Sequence, residues 1–120
     1  MMAHMKPIET AKRYVELFNA RKFTEMGELF AEDSLWESPS DTPATRGRDA
    51  IIDRYSAMAE TITDMQMTDA RFYELDNVVI VEMQTSNPDG PVGRVVDVFD
   101  IDNEGRISRM TGYAGPPRLS

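Results

Sequence analysis

The chain has no cysteine and a single histidine, His4, close to its start. Without cysteine, disulfide scaffolds, thiolate zinc sites and thiol nucleophiles are excluded. With one histidine near a terminus, the usual acid–base residue and the Ser–His–Asp arrangement are missing as well. Cations are scarce: 13 Lys and Arg stand against 21 Asp and Glu, a net charge of −8. Binding to a phosphate backbone needs clustered Lys and Arg, so nucleic acid is not an expected partner. No apolar run approaches the ~18 residues needed to cross a bilayer, so no membrane is expected either. A phosphate loop, a dinucleotide glycine motif and a Gly-x-Ser-x-Gly elbow are all absent. No metal and no cofactor are expected. Chemistry in this chain has to come from carboxylates, tyrosines, hydroxyls, arginines or a borrowed cofactor.

What remains is 120 residues, 41% of them hydrophobic, which fits one domain with a genuine core. Met-Met-Ala-His-Met at residues 1–5 has no apolar stretch of a signal peptide and reads as an added or disordered start, with Met5 as the native first residue. A single domain is expected over residues 6–115, with a tail at 116–120 and a cytoplasmic location.

Helical spacing of Ile8, Ala11, Val15 and Phe18, widened by Tyr14 and Leu17, predicts a helix from Pro7 to Ala20. A short helix is predicted from Phe23 to Ala31, and a short strand over Ser34–Pro39. Ser38–Arg46 reads as a loop, rich in Ser, Thr, Pro and Asp. A third helix runs to about Thr61, with a stripe of Ile51, Tyr55, Met58 and Ile62, and Ile52 alongside. Four strands follow, over Asp64–Leu75, Asn77–Ser86, Gly93–Asp102 and Arg106–Ala114. Their short connections predict antiparallel pairing. The order is helix, helix, strand, helix, meander: an α+β layout with helices on one face of the sheet.

One residue does not fit its surroundings. With period two, Val95, Asp97, Phe99 and Ile101 share one face of the third of these strands. That face is apolar except for Asp97. An ionised carboxylate there is costly unless paired, and desolvation favours its protonated form, which donates a hydrogen bond. Either Asp97 lies inside on these terms, or it pairs with an arginine, or the register slips and Val96 and Val98 point inward instead. Tyr14 and Tyr55 are equally open: each is a core residue or part of a hydrogen-bonded network, and spacing does not decide. Asp100 to Gly105 imitates the start of a calcium loop, but Thr111 stands where a Glu is required and flanking helices are missing. Glu32 and Asp33 read as a solvated helix end.

Several segments together resemble the ketosteroid isomerase branch of the NTF2-like (SnoaL-like) superfamily. They are Arg13–Leu17, Leu29–Asp33, Trp36–Pro39, Arg46–Ile51, Val81–Met83, Val96–Val98 and Asn103–Ile107. The similarity runs from about Ile8 to Tyr113. It implies a cone: a strongly curved antiparallel sheet wrapped around three helices and enclosing an apolar pocket, in a homodimer formed through the sheet. It also implies an oxyanion hole made by Tyr14 and a protonated Asp97, with Tyr55 supporting Tyr14. A further network tyrosine falls on Phe30, which lacks the hydroxyl. The proton-shuttling aspartate falls on Ser38, a much weaker base. Asp41 or Glu37 is then the nearest substitute, although strand alternation turns Glu37 away from the side of Ser38. Trp36 is either pocket wall or plain core. Phe30, Val79, Val81, Met83, Phe99 and Met110 are expected as further lining for a small hydrophobic ligand.

Overall fold

The computed structural model describes residues 5–38, 42–61 and 64–117. Helix α1 (Pro7–Asn19) starts on Pro7, whose fixed φ suits a first turn, and Glu9 Oε1 accepts the Lys6 N–H at 3.0 Å. Its apolar stripe buries Ala11, Tyr14, Val15, Leu17 and Phe18. Helix α2 (Phe23–Gly27) is shorter than the sequence implies. Strand β1 (Phe30–Ser38) begins where that helix was expected to continue. Tertiary pairing wins over local propensity here. The Ile107 N–H donates to Leu29 O at 2.7 Å, and Phe30 pairs with Ile107. Glu32 and Asp33 are therefore exposed residues of a strand, not a helix end.

The expected loop over residues 38–46 contains strand β2 (Thr42–Arg46), antiparallel to β1. Gly47 then turns the chain with φ +99°, and its N–H donates to Ser34 O at 2.8 Å. Arg48 opens helix α3 (Arg48–Thr61) and donates from Nε and Nη2 to Phe30 O at 3.0 and 2.8 Å. This turn thereby clamps the start of α3 onto β1. Of the stripe expected on α3, Ile51 and Tyr55 are buried. Ile62 lies outside the described residues.

Strands β3 (Gln66–Leu75), β4 (Val78–Asn87), β5 (Gly90–Ile101) and β6 (Ile107–Gly115) form the antiparallel meander. The loop expected at residues 87–91 tightens into a hairpin: Gly90 takes φ +127° and Asn87 Oδ1 accepts the Asp89 N–H. The calcium-like segment is a turn in which Asp102 Oδ1 accepts the N–H groups of Glu104 and Arg106. The sheet order is β2-β1-β6-β5-β4-β3. One pairing, β1 with β6, is parallel. Register shifts interrupt β1–β2, β3–β4, β4–β5 and β5–β6. Such bulges bend strands and deepen the twist, which curves a sheet around what it packs on. Here that is the three helices, with Val79, Val81, Met83, Phe99 and Ile101 buried beneath them.

Asn19, the last residue of α1, fixes the edge strand. Its side chain donates to Met67 O at 3.0 Å and accepts the Met67 N–H at 2.8 Å. Asn19→Ala leaves both groups of a part-buried backbone unpaired. We expect a loss of about 1–3 kcal/mol in urea unfolding with an unchanged m value. A loss below about 0.5 kcal/mol would mean that solvent replaces the bracket.

Candidate functional site

A cavity of about 350 Å³ opens between α1, α3 and the concave side of the sheet. Tyr14 reaches it from α1, Tyr55 from α3, Asp97 from β5, Met110 from β6, and Trp36 and Ser38 from β1. Six of the residues expected at a site thus converge, although they are spread over more than 90 positions of sequence. Phe30, Val79, Val81, Met83 and Phe99 do not line it. They are packed in the core, fully or almost fully buried. Phe30 and Phe99 instead support Tyr14, with ring centroids 6.2 and 5.0 Å away in edge-on geometry. Asp41 lies outside the described residues.

Asp97 lies on the inner face, in the register that buries Asp97, Phe99 and Ile101 together. It is 1% exposed. Its Oδ2 has no hydrogen-bond partner among the described residues. Burial alone pushes its pKa from 3.8 up to about 7. Opposite Asp97 on β6 stands Gly112, and a Cβ at that position would lie 3.1 Å from Asp97 Oδ1. Glycine is what lets the two strands close beside the carboxyl.

The hydroxyls form a chain. Trp36 Nε1 donates to Tyr55 Oη at 3.0 Å. Tyr55 Oη and Tyr14 Oη share a hydrogen bond, and Met110 Sδ lies 3.6 Å from Tyr55 Oη. Burial raises the pKa of Tyr14 well above the ordinary phenol value, and the neighbouring Tyr55 and Asp97 add to it. Burial and the charge of Asp97 raise Tyr55, opposed by its hydrogen bonds with Tyr14 and Trp36. Both phenols are neutral at ordinary pH and able to donate.

Ser38 is half-buried and lines the cavity. Glu37 is on the other side of β1, where Oε1 accepts from Arg109 Nε at 2.9 Å, from Arg109 Nη2 and from Thr111 Oγ1. The hydrogen bonds from Arg109 hold its pKa below the usual carboxylate value. Glu37 is therefore not a base for this cavity. Among the described residues no cluster of His, Asp and Glu could hold a metal ion. Sequence spacing missed Arg54, whose guanidinium lies 4.2 Å from the centre of the Trp36 ring, and the lining methionines Met58, Met65 and Met67. Arg54 follows Ile51 by three residues and precedes Met58 by four, so helical spacing alone held the clue.

The Asp97 shift makes stability depend on pH with a definite sign. The folded state keeps its proton up to about pH 7, whereas an ordinary aspartate loses it near 3.8. Between these values the folded state binds more protons than the unfolded, so stability falls as pH rises and levels off above pH 7. Asp97→Asn should abolish this component. Urea unfolding at pH 4.5 and pH 8 should show the variant gaining on the wild type by several kcal/mol at the higher pH. Equal slopes in both proteins would place the charge of Asp97 in contact with solvent.

Residues 11–110 match the model of the SnoaL-like domain. No curated protein matches the chain significantly. Among solved structures, a candidate ketosteroid isomerase from Kribbella flavida is similar at 21% identity and a TM-score of 0.74, over 95% of this chain and 81% of that one. A candidate polyketide cyclase from Xanthomonas campestris is similar at 22% identity and a TM-score of 0.75, over 89% and 88%. A candidate isomerase of the SnoaL-like family from Agrobacterium tumefaciens is similar at 20% identity and a TM-score of 0.76, over 89% and 95%. At these identities the structures establish the shared fold. The chain belongs to the SnoaL-like family of the NTF2-like superfamily.

Proposed function

We propose that the cavity binds a small, mainly apolar carbonyl compound and stabilises its enolate through Tyr14 and Asp97, as in a ketosteroid-isomerase-like protein. The observation that carries this reading is the buried carboxyl of Asp97, whose Oδ2 has no hydrogen-bond partner among the described residues, in a mainly apolar cavity that the neutral Tyr14 also lines. Protonated Asp97 and Tyr14 are both donors. When a proton leaves the carbon next to a bound carbonyl, negative charge gathers on its oxygen. Fixed donors aimed at that oxygen in a dry site stabilise the charged state more than the neutral one. An aldol ring closure of polyketide-cyclase type uses the same stabilisation and is a variant of this reading.

The base is the weak half of the site. Ser38 is a poor proton acceptor, and Glu37 is held by Arg109 outside the cavity. These two facts favour a second reading, a non-catalytic binder of a small hydrophobic carbonyl compound. A dimerising accessory module is its simplest relative. For the partner we propose a second copy of the chain on the outer face of the sheet, where Tyr73, Leu75 and Ile80 are exposed. Sedimentation at micromolar concentration checks this: Tyr73→Glu with Ile80→Glu should leave a monomer, and a wild type already monomeric would refute it.

Equilenin, a phenol that imitates a dienolate, tests the donors. Asp97→Leu and Tyr14→Phe should each weaken its binding about tenfold or more, with naphthalene binding unchanged. Wild-type affinity should also fall above about pH 7, as Asp97 ionises. Affinity indifferent to both substitutions would sink the oxyanion-hole reading. Turnover of a β,γ-unsaturated ketone separates enzyme from binder. A wild type inert on it and a Ser38→Asp variant that isomerises it would mark a binder lacking only its base. Inertness of both would end the isomerase analogy.

A further inference from the structure

We propose that Trp36 is a positioning residue: its indole N–H sets the direction of the Tyr55–Tyr14 hydrogen bond, so that the Tyr14 proton is left to point at a ligand oxygen. The role at the ligand rests on the oxyanion-hole reading above; the direction of the hydrogen bond does not.

An indole nitrogen only donates, so the 3.0 Å contact with Tyr55 Oη has one polarity. It occupies acceptor capacity on the Tyr55 oxygen. Tyr55 has one proton of its own and two acceptors in reach, Tyr14 Oη and Met110 Sδ. A thioether is a weak acceptor, so the proton goes to Tyr14. Donation into an oxygen also makes its own O–H a better donor, which reinforces the same direction. Tyr14 then accepts from Tyr55, and among the described residues its own proton has no other hydrogen-bond partner in a cavity that Tyr14 lines. Were the indole N–H removed, this reinforcement would be lost, and the opposite order, Tyr14 donating to Tyr55 and Tyr55 to Met110, would compete. In that order Tyr14 would offer a ligand oxygen a lone pair.

Two neighbours fit this role. Phe30 packs edge-on against Tyr14 and has no hydroxyl to feed the chain from its side. The guanidinium of Arg54, 4.2 Å from the centre of the Trp36 ring, draws on the indole π-system and sharpens its N–H as a donor. Trp36 is thus the terminal donor in a chain of two phenols.

Trp36 is the sole tryptophan, so growth on β-(3-benzothienyl)alanine replaces its N–H by sulfur at this position alone. Two readouts follow. In the ligand-free protein, the downfield proton resonance of the Tyr14–Tyr55 hydrogen bond should move upfield on this replacement; an unmoved resonance overturns the proposal. With equilenin, the replacement should weaken binding about fivefold in the Tyr14-containing protein and not at all beside Tyr14→Phe. A merely structural tryptophan would weaken binding equally in both backgrounds, and that result also overturns the proposal. A resonance that moves in a protein that fails to bind equilenin would sustain the hydrogen-bond direction and refute the oxyanion-hole reading instead.

Discussion

The structure turns on one carboxyl group that water does not reach. Asp97 sits mid-strand among Val81 on β4 and Gly112 on β6, its two cross-strand partners, with Phe99 following on the same face. None of these offers it a positive charge. A carboxyl in such a place is stable only with its proton on, and the proton makes it a donor. Keeping it there weakens the fold at neutral pH, which a core as full as this one has to offset. The glycine opposite it is part of the same constraint, because any side chain at position 112 would press on Oδ1.

The rest of the cavity divides by chemistry. Its floor holds donors: Asp97, Tyr14 and, behind them, Tyr55 and Trp36. Its walls hold thioethers from Met58, Met65, Met67 and Met110. Flexible thioethers adapt to the outline of an apolar ligand and do little to define it. On the proposed reading, such a site fixes a ligand oxygen firmly and the remaining skeleton loosely. It therefore constrains the functional group of a ligand more than its shape.

The layout and the acid were legible in the sequence because both follow from periodicity. A 3.6-residue stripe set α1, and a two-residue alternation gave Asp97 its face. What failed was governed by distant pairing. Residues 28–33 look helical locally, but β6 recruits Phe30 into a strand. Strand β2 was hidden in a segment of loop-like composition, since its partner β1 supplies the order. Gly112 escaped notice for a subtler reason. Counting back from the Asn103–Gly105 turn without an irregularity puts Thr111 opposite Asp97; the register shift between Asp100 and Ile101 moves the partner by one residue to Gly112. The lining failed for a related reason. Val79, Val81, Met83 and Phe99 share the inner face with the site, but periodicity assigns a face and not a depth along it. They pack into the core, and Thr85, Val95 and Asp97 of the same two strands line the cavity instead.

Strand β1 decides what chemistry this scaffold can carry. Trp36 and Ser38 turn inward, and Glu37 between them turns outward to Arg109 and Thr111 on β6. That outer clasp ties the end of β1 to β6 on the face away from the cavity. A carboxylate at 38 would share the cavity with Asp97, and two like charges in one dry space drive their pKa values apart. One would stay ionised as a base and the other protonated as a donor, which is the division of labour that proton transfer between carbons requires. With serine at 38, Asp97 has no such rival among the described lining residues, and its elevated pKa arises from burial alone. The donor half of the site does not need a base to exist. On the proposed reading its presence supports oxygen recognition, and proton transfer would need a base as well, at residue 38 or from Asp41, which lies outside the described residues.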